Sequence, residues 1–298
     1  MTIPPLTVGS ARFDWGRRTY LMGILNVTSD SFSGDGLLSQ TDWVGAALAQ
    51  ALDQIRAGAD IVDVGGESTR PGSLPLSLDE ELYRVLPVIR ALARATEVPI
   101  SIDTSKAEVA RQALAAGATI INDVWGFKLD PDMAQVAAES GAAVVLMHNR
   151  SRSQDAIQDA VVGGRYVGVQ YDDLMQDIAR EITESVALAL AAGVAPTQII
   201  IDPGLGFGKT VAQNLELIDR LGELRRLGYP LLLGPSRKSF TGAVLQLPVD
   251  QRLEGTAAAV ALVIDRGADI VRVHDVAAMR RVVVVADAIT RRPAPVAP

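Results

Sequence analysis

The sequence holds two histidines, His148 and His274, and the second stands two positions after Arg272 in "VRVHDV". In an extended strand that spacing puts both side chains on one side. A forked cation beside a titratable donor is an anion clamp. Other groups able to do chemistry stand at the ends of short apolar runs: Asn26 after "LMGIL", Asp63 in "IVDVGG", Asp103 in "SIDTSK", Asn122 with Asp123 in "INDVWG", His148 in "VVLMH" and Asp202 in "IIIDPG". Arg70 in "GESTRPGS", and Arg237 with Lys238 in "PSRKS", are further cations that can join the clamp. Taken singly, an Asp or Asn in such a place caps the next helix, and Asp63, before Val64 and a glycine pair, has the most structural setting. An Arg-Lys run elsewhere would be a solvated face, but here it directly follows the apolar "PLLLG". Burying unpaired carboxylates and cations is costly, so the recurrence of such groups at one run end after another points to a shared, ligand-filled mouth.

The stretch "DPGLGFGKT" (202–210) ends like a phosphate-binding loop. That motif needs a glycine where Pro203 stands, and proline has no N–H to give a phosphate. Lys209 falls where the third glycine of a dinucleotide fingerprint belongs. The loop therefore has another task, and Lys209 is expected on the surface or at a helix N-terminus. There is no cysteine, which excludes disulfides and thiolate metal sites. Asn26 and the oxygen-rich "NVTSDSFSGDG" can offer a hard cation one or two ligands. That is the pattern of Mg²⁺ held mainly by substrate phosphate and water.

Something must hold these groups together. "GADIVDV", "GATIINDV", "GAAVVLMH" and "GADIVRVHD" repeat one phrase, a Gly-Ala that closes a helix followed by a β-branched run. Unbroken Val/Ile runs suit strands buried on both faces of a parallel sheet. Strands are expected at 20–27, 60–65, 99–103, 119–124, 143–148, 199–202, 230–235 and 269–274. Helical patterns at 42–57, 78–95, 106–116, 132–140, 171–192, 211–227, 253–266 and 276–290 separate or follow them. Eight such units make an α/β protein of the (β/α)₈ TIM barrel type, which typically takes ~250 residues. A doubly wound open sheet is the rival, and it lacks its Gly-rich first turn here. The remainder fits a short N-terminal β-hairpin near 6–19 and a long connection at 149–170. One domain is expected over 1–290, with a disordered Pro-rich tail at 291–298.

The formal net charge of −7 argues against a nucleic-acid partner. No secretory signal and no membrane-length apolar run are visible, so a cytoplasmic protein without membrane contact is expected.

Read together, "MGILNVTSDSFS", "DVGGESTRPGS", "SIDTSK", "INDVWG", "LMH", "DPGLGFGKT", "GPSRKSF" and "VRVHDV" resemble the dihydropteroate synthase family, over almost the whole chain. The resemblance implies a transferase of folate biosynthesis. It would join 6-hydroxymethyl-7,8-dihydropterin diphosphate to p-aminobenzoate, giving 7,8-dihydropteroate and diphosphate through an SN1-like displacement. It also implies a homodimer, Mg²⁺ at Asn26, and inhibition by sulfonamides. Carried onto this sequence, Asp103, Asn122, Asp202 and Lys238 would hold the pterin, with Met147 and Phe207 nearby. Arg272 and His274 would take the diphosphate, and Thr69, Arg70, Pro71 and Ser239 would shape the p-aminobenzoate pocket. Asp103, Lys238, Arg272 and His274 would be the catalytic set. The first loop departs from the family pattern: Ser29 stands for a proline, and Gly34 and Asp35 are exchanged in order. A pterin-dependent methyltransferase and a catalytically silent pterin-binding paralogue are the alternatives.

Overall fold

The computed structural model describes residues 3–28, 37–39, 41–69 and 73–291. Its elements run β1 (Leu6–Val8), β2 (Ala11–Phe13), β3 (Tyr20–Asn26), α1 (Trp43–Arg56), β4 (Ile61–Gly65), α2 (Leu78–Ala95), β5 (Ile100–Asp103), α3 (Ala107–Ala116), β6 (Ile120–Asp123), α4 (Met133–Ser140) and β7 (Ala143–Met147). They continue with β8 (Ala156–Asp159), β9 (Gly163–Tyr166), α5 (Leu174–Ala192), β10 (Ile199–Asp202), α6 (Val211–Asp219), β11 (Leu232–Leu233), α7 (Ser239–Leu245), α8 (Leu253–Asp265), β12 (Ile270–Val273) and α9 (Val276–Thr290). The expected strands and helices are present, most with small changes at their ends, although the strand expected at 230–235 is reduced to Leu232–Leu233.

Eight parallel strands form one sheet in the order β10-β7-β6-β5-β4-β3-β12-β11. Its two outer strands meet through a single parallel bridge, Ile201 to Leu231, with Ile201 N donating to Pro230 O at 3.0 Å. The sheet is thereby a nearly closed TIM barrel. The repeated Gly-Ala phrase works as its chemistry suggests, since Gly58, Gly117, Gly141 and Gly267 all take positive φ just past a helix.

Register explains why chemistry gathers at one end. Paired residues of parallel neighbours point the same way, and successive residues alternate between lumen and helix layer. Tyr20, Met22, Ile61, Ile120, Val145, Ile200, Leu232 and Ile270 fill the lower lumen as one apolar cluster. One register line above reads Ile24, Asp63, Ser101, and the next reads Asn26, Gly65, Asp103, Asn122. The lumen thus turns polar toward the C-terminal ends of the strands.

The N-terminal hairpin β1–β2 closes the opposite end, with Leu6, Val8 and Phe13 joining the lower cluster. The Phe13 ring meets Tyr20 edge-on at 4.8 Å and stacks on Trp15 at 5.8 Å.

The structure departs from expectation in four places. The 149–170 connection contains a second hairpin, β8–β9, held by the buried Arg252, which donates to the Val162 carbonyl at 3.0 Å. An unexpected helix, α7, starts at Ser239 between the strand expected at 230–235 and the helix expected at 253–266. The helix expected over 211–227 is α6 followed by a 3₁₀ segment at Leu221–Leu227. Arg291, placed in the tail from sequence, is the C-cap of α9: its N–H donates to Asp287 O at 2.8 Å, and its side chain pairs with the Asp287 carboxylate at 3.0 Å.

Candidate functional site

Arg272, on β12, lies at the centre of the barrel mouth. Its Nε donates to Asp63 Oδ2 and its Nη2 to Asp103 Oδ2, each at 2.6 Å. Asn122 Nδ2 also donates to Asp63 Oδ2, at 3.1 Å. Asp63 was assigned the most structural setting. It is fully buried and shares its Oδ2 between Arg272 and Asn122, so it acts inside the site by orienting two of its members. Asp63 Oδ1 and Asp103 Oδ1 are buried and lack a hydrogen-bond partner among the described residues. An orphan buried acceptor is costly, and these two face the same ring of groups. A ligand N–H is the natural partner for such an oxygen. Burial pushes the Asp103 carboxyl up to about 7, against the pull of Arg272 and with the push of Asp63 and Glu81.

Asp202 ends β10 and is 6 % exposed. Its Oδ1 accepts from Gly204 N at 2.7 Å. Burial raises its carboxyl to about 6, although Gly204 N–H, Lys238, Lys209 and Arg272 all favour the charged form. The glycines of "DPGLGFGKT" permit close approach. Gly204, Gly206 and Gly208 have φ of +71°, +83° and +57°. A Cβ on Gly204 would lie 1.8 Å from the His148 carbonyl oxygen, and one on Gly206 would lie 3.0 Å from Lys238 Cδ. The loop can therefore fold against β7 and leave room for the Lys238 stem. Lys238 holds its ammonium 4.2 Å from the centre of the Phe207 ring, a cation–π pair.

Lys209 is not on the surface. It is 2 % exposed and donates to the carbonyls of Gly204 and Phe207 at 2.9 and 3.0 Å. It does stand next to a helix start, where Thr210 and Gln213 form the capping box of α6. Such a box is visible in sequence as T-x-x-Q; the burial is not.

His274 directly follows β12, and its Nδ1 lies 3.0 Å from Ser236 Oγ. Arg237 does not join the mouth. Its φ is +56° and its guanidinium forks onto Asp275 at 3.0 and 2.7 Å. Asp123 also faces away from the lumen and accepts from the amides of Trp125 and Phe127, at 2.9 and 2.7 Å. Asn26 is the half-buried end of β3 and Met147 the buried end of β7. Ser239 opens α7, half-buried, and Thr69 is exposed on the loop after β4. Arg70, Pro71, Ser29, Gly34 and Asp35 lie outside the described residues.

Beside this ring a cleft of about 390 Å³ opens, lined among others by Glu67, Thr69, Asp103, Asn149, Tyr166 and Phe207. Its size and mixed lining suit a small aromatic ligand. A cluster that sequence reading missed forms one wall: Glu81, 1 % exposed, accepts from Thr104 Oγ1 at 2.6 Å and pairs with Lys106, which also reaches Glu67. A groove of about 460 Å³ near the opposite end, lined by Val8, Arg111 and Glu139 among others, has no converging set of buried polar groups. The chemistry belongs to the mouth.

Comparison with known proteins gives the family. The pterin binding enzyme family matches residues 22–274. The chain is 49 % identical to the dihydropteroate synthase of Synechocystis over 97 % of its own length and 96 % of that protein's. It superimposes on dihydropteroate synthase from Clostridium difficile, crystallised with pteroic acid, with a TM-score of 0.84 at 47 % identity, covering 94 % of this chain and all of that one. A dihydropteroate synthase from Yersinia pestis in complex with a sulfonamide drug gives 0.87 at 40 % identity, covering 96 % and 99 %. The site ring, the nearly closed barrel and these full-length likenesses lead to one assignment: the chain belongs to the pterin-binding enzymes, among the dihydropteroate synthases.

Proposed function

We propose that this enzyme condenses 6-hydroxymethyl-7,8-dihydropterin diphosphate with p-aminobenzoate to give 7,8-dihydropteroate and diphosphate. The observation that carries the site assignment is the pair of orphaned buried carboxylate oxygens, on Asp63 and Asp103, beside the nearby Asp202 carboxylate. A pterin ring presents adjacent N–H donors, and buried acceptors reject analogues that lack them. Asp103, Asn122 and Asp202 bind the ring by hydrogen bonds, Met147 and Phe207 border it, and Lys238 lies where its ammonium reaches the ring's carbonyl side.

In the chemical step, the bond between the pterin methylene and a diphosphate oxygen breaks, and the electron pair leaves with diphosphate. The cation left behind is delocalised into the dihydropterin. The aniline nitrogen then forms the new C–N bond and loses a proton. Aniline is a weak nucleophile and diphosphate a good leaving group, so departure precedes attack. Arg272 and His274 stabilise the departing charge, and Asp103 stabilises the positive ring. Two of the Arg272 donors hold Asp63 and Asp103, and its other N–H groups are the ones that meet the departing diphosphate.

Asn26 fits a Mg²⁺ that arrives with the substrate. It is a single oxygen donor, and among the described residues no group of three His, Cys, Asp or Glu surrounds a metal position. Bound there, the ion supplies charge to the leaving group.

The cleft beside Asp103, bordered by Thr69, takes p-aminobenzoate; Ser239, Arg70 and Pro71 enter its recognition through the family resemblance. Sulfonamides compete for the same place. A second copy of the chain covers the outer face of α7, α8 and α9, where Val244, Leu262, Val285 and Ile289 are 59, 49, 60 and 62 % exposed.

The reaction is tested by assaying diphosphate release with and without p-aminobenzoate. Release that depends on the amine, with dihydropteroate formed, supports the synthase. Pterin binding without release leaves a silent paralogue, and methyl transfer from a methyl-folate identifies the rival enzyme.

A further inference from the structure

Behind the Asp202 side of the mouth lies a buried chain of charged groups that the reaction above does not use. Lys209 Nζ is 2.9 Å from Gly204 O, 3.0 Å from Phe207 O and 2.9 Å from His148 Nδ1. His148, 3 % exposed, places its Nε2 3.0 Å from Glu181 Oε2, and Glu181 on α5 also receives Arg150.

The protons follow from the partners. Although burial disfavours its charge, hydrogen bonds from His148 and Arg150 hold the Glu181 carboxyl well below its usual range. A carboxylate can only accept, so His148 carries its hydrogen on Nε2 and turns the Nδ1 lone pair toward Lys209. Burial and the nearby Lys209 push the imidazole down to about 3, which keeps it neutral. Burial pulls the Lys209 ammonium down to about 7 against the hold of Asp202 and Glu181, and in its protonated form Lys209 has one N–H for each of these three acceptors.

The loop needs such a tie. Three of its residues are glycines in the left-handed region. Other ties come from Asn214, which accepts from Gly206 N at 2.6 Å and donates to Lys209 O at 3.1 Å, from Tyr171 Oη to Gly208 O at 2.9 Å, and from the turn bond Phe207 N to Gly204 O at 3.0 Å; none of them reaches the His148 ring. What the loop carries matters, because Gly204 N sets one oxygen of Asp202 and Phe207 supports Lys238.

We propose that Lys209 is a positioning residue for substrate recognition. Its ammonium ties the Gly204 and Phe207 carbonyls to the His148 ring, so that the loop presents Asp202, Phe207 and Lys238 in one orientation. The inference rests on Asp202 as a pterin ligand.

The test combines steady-state kinetics of Lys209→Met with calorimetry of pterin binding and ¹⁵N NMR of the two imidazoles. The KM for pterin diphosphate rises by about tenfold or more, while kcat at saturation changes less and the circular dichroism stays native. An unchanged KM in the folded variant overturns the proposal. Should Lys209→Met not fold, His148→Asn, which keeps an acceptor near Nδ1, and His148→Leu, which removes it, take its place. A raised KM in the Leu variant alone is the expected result, and equal values in the two overturn the proposal. In the wild-type protein, His148 is expected as the neutral Nε2–H form at pH 6. An Nδ1–H or doubly protonated ring there overturns the arrangement, whatever the substrate is. Wild-type protein that binds no pterin would instead refute the assignment of Asp202, and the NMR result would stand apart from it.

Discussion

Arg272 Nη2 and Asp103 Oδ2 are 2.6 Å apart although their strands, β12 and β5, are separated in the sheet by two others. The bond therefore crosses the mouth of the barrel instead of following its wall. With Asp63 it makes one guanidinium the shared partner of two carboxylates, both of them nearly inaccessible to water.

Removing that cation should be costly. Arg272→Met leaves two buried carboxylates without compensation, a change on the scale of about 3–5 kcal/mol, and the melting temperature falls accordingly. Arg272→Lys restores the charge without the planar fork. It recovers part of the stability and little of the turnover. Thermal melts and diphosphate release on both variants check this, and full activity in the lysine variant would show the fork to be unnecessary.

Asp202→Asn turns one acceptor into a donor facing pterin N–H groups, and pterin affinity by calorimetry falls by about 1–3 kcal/mol. In the wild-type protein the carboxylate form accepts, and its pKa is raised to about 6. Binding weakens as pH falls through about 6, and the asparagine variant loses that inflection. The free protein responds with opposite sign. A folded pKa raised above the ordinary 3.8 contributes stability that is present below about 4 and is lost as pH rises through about 6. A flat affinity between pH 5 and 7 would set aside Asp202 as the group responsible.

Phe207→Leu keeps an apolar contact and removes the π face beneath Lys238. Such a pair contributes about 0.5–2 kcal/mol. The KM for pterin diphosphate rises severalfold, and the fold is unchanged because the ring lies in the mouth and not in the core. An unaltered KM would mean that Lys238 is placed by its stem alone.

Val285→Glu puts a charge on the exposed apolar face of α9. Sedimentation is expected to give a dimer for the wild-type chain and a monomer for the variant. A monomeric wild type would remove the proposed second copy from this face.

Much of the site was legible because strand ends announce themselves. A β-branched run followed by Asp or Asn gave the positions of Asp103, Asn122 and Asp202, and the two-residue spacing paired Arg272 with His274; His148, read in the same way, instead turns behind the mouth to Lys209 and Glu181. What remained hidden depended on contacts across the barrel. No local pattern distinguishes Asp63, which holds Arg272 from 209 positions away, from a carboxylate that only closes a turn. The burial of Lys209 was missed for the same reason. Its three acceptors come from its own loop and from the end of a strand 61 residues earlier, and charge next to a helix start usually means solvent. Arg237 failed in the other direction, since its positive φ turns the side chain toward Asp275. The hairpin β8–β9 has short, half-exposed strands without the apolar alternation that marks a sheet with one buried face.

The barrel is sutured at one place only. Between β10 and β11 there is a single bridge, where the other neighbours share ladders. Asp202 stands at the end of one lip of that seam, and Lys238 follows the other. A molecule that bonds to both spans the gap and supplies the cross-link that the backbone omits. Amides along the seam should then exchange with deuterium faster than those of β4 or β5 in the free enzyme, and slow selectively when a pterin is added. The substrate would be, in mechanical terms, the last stave of the barrel.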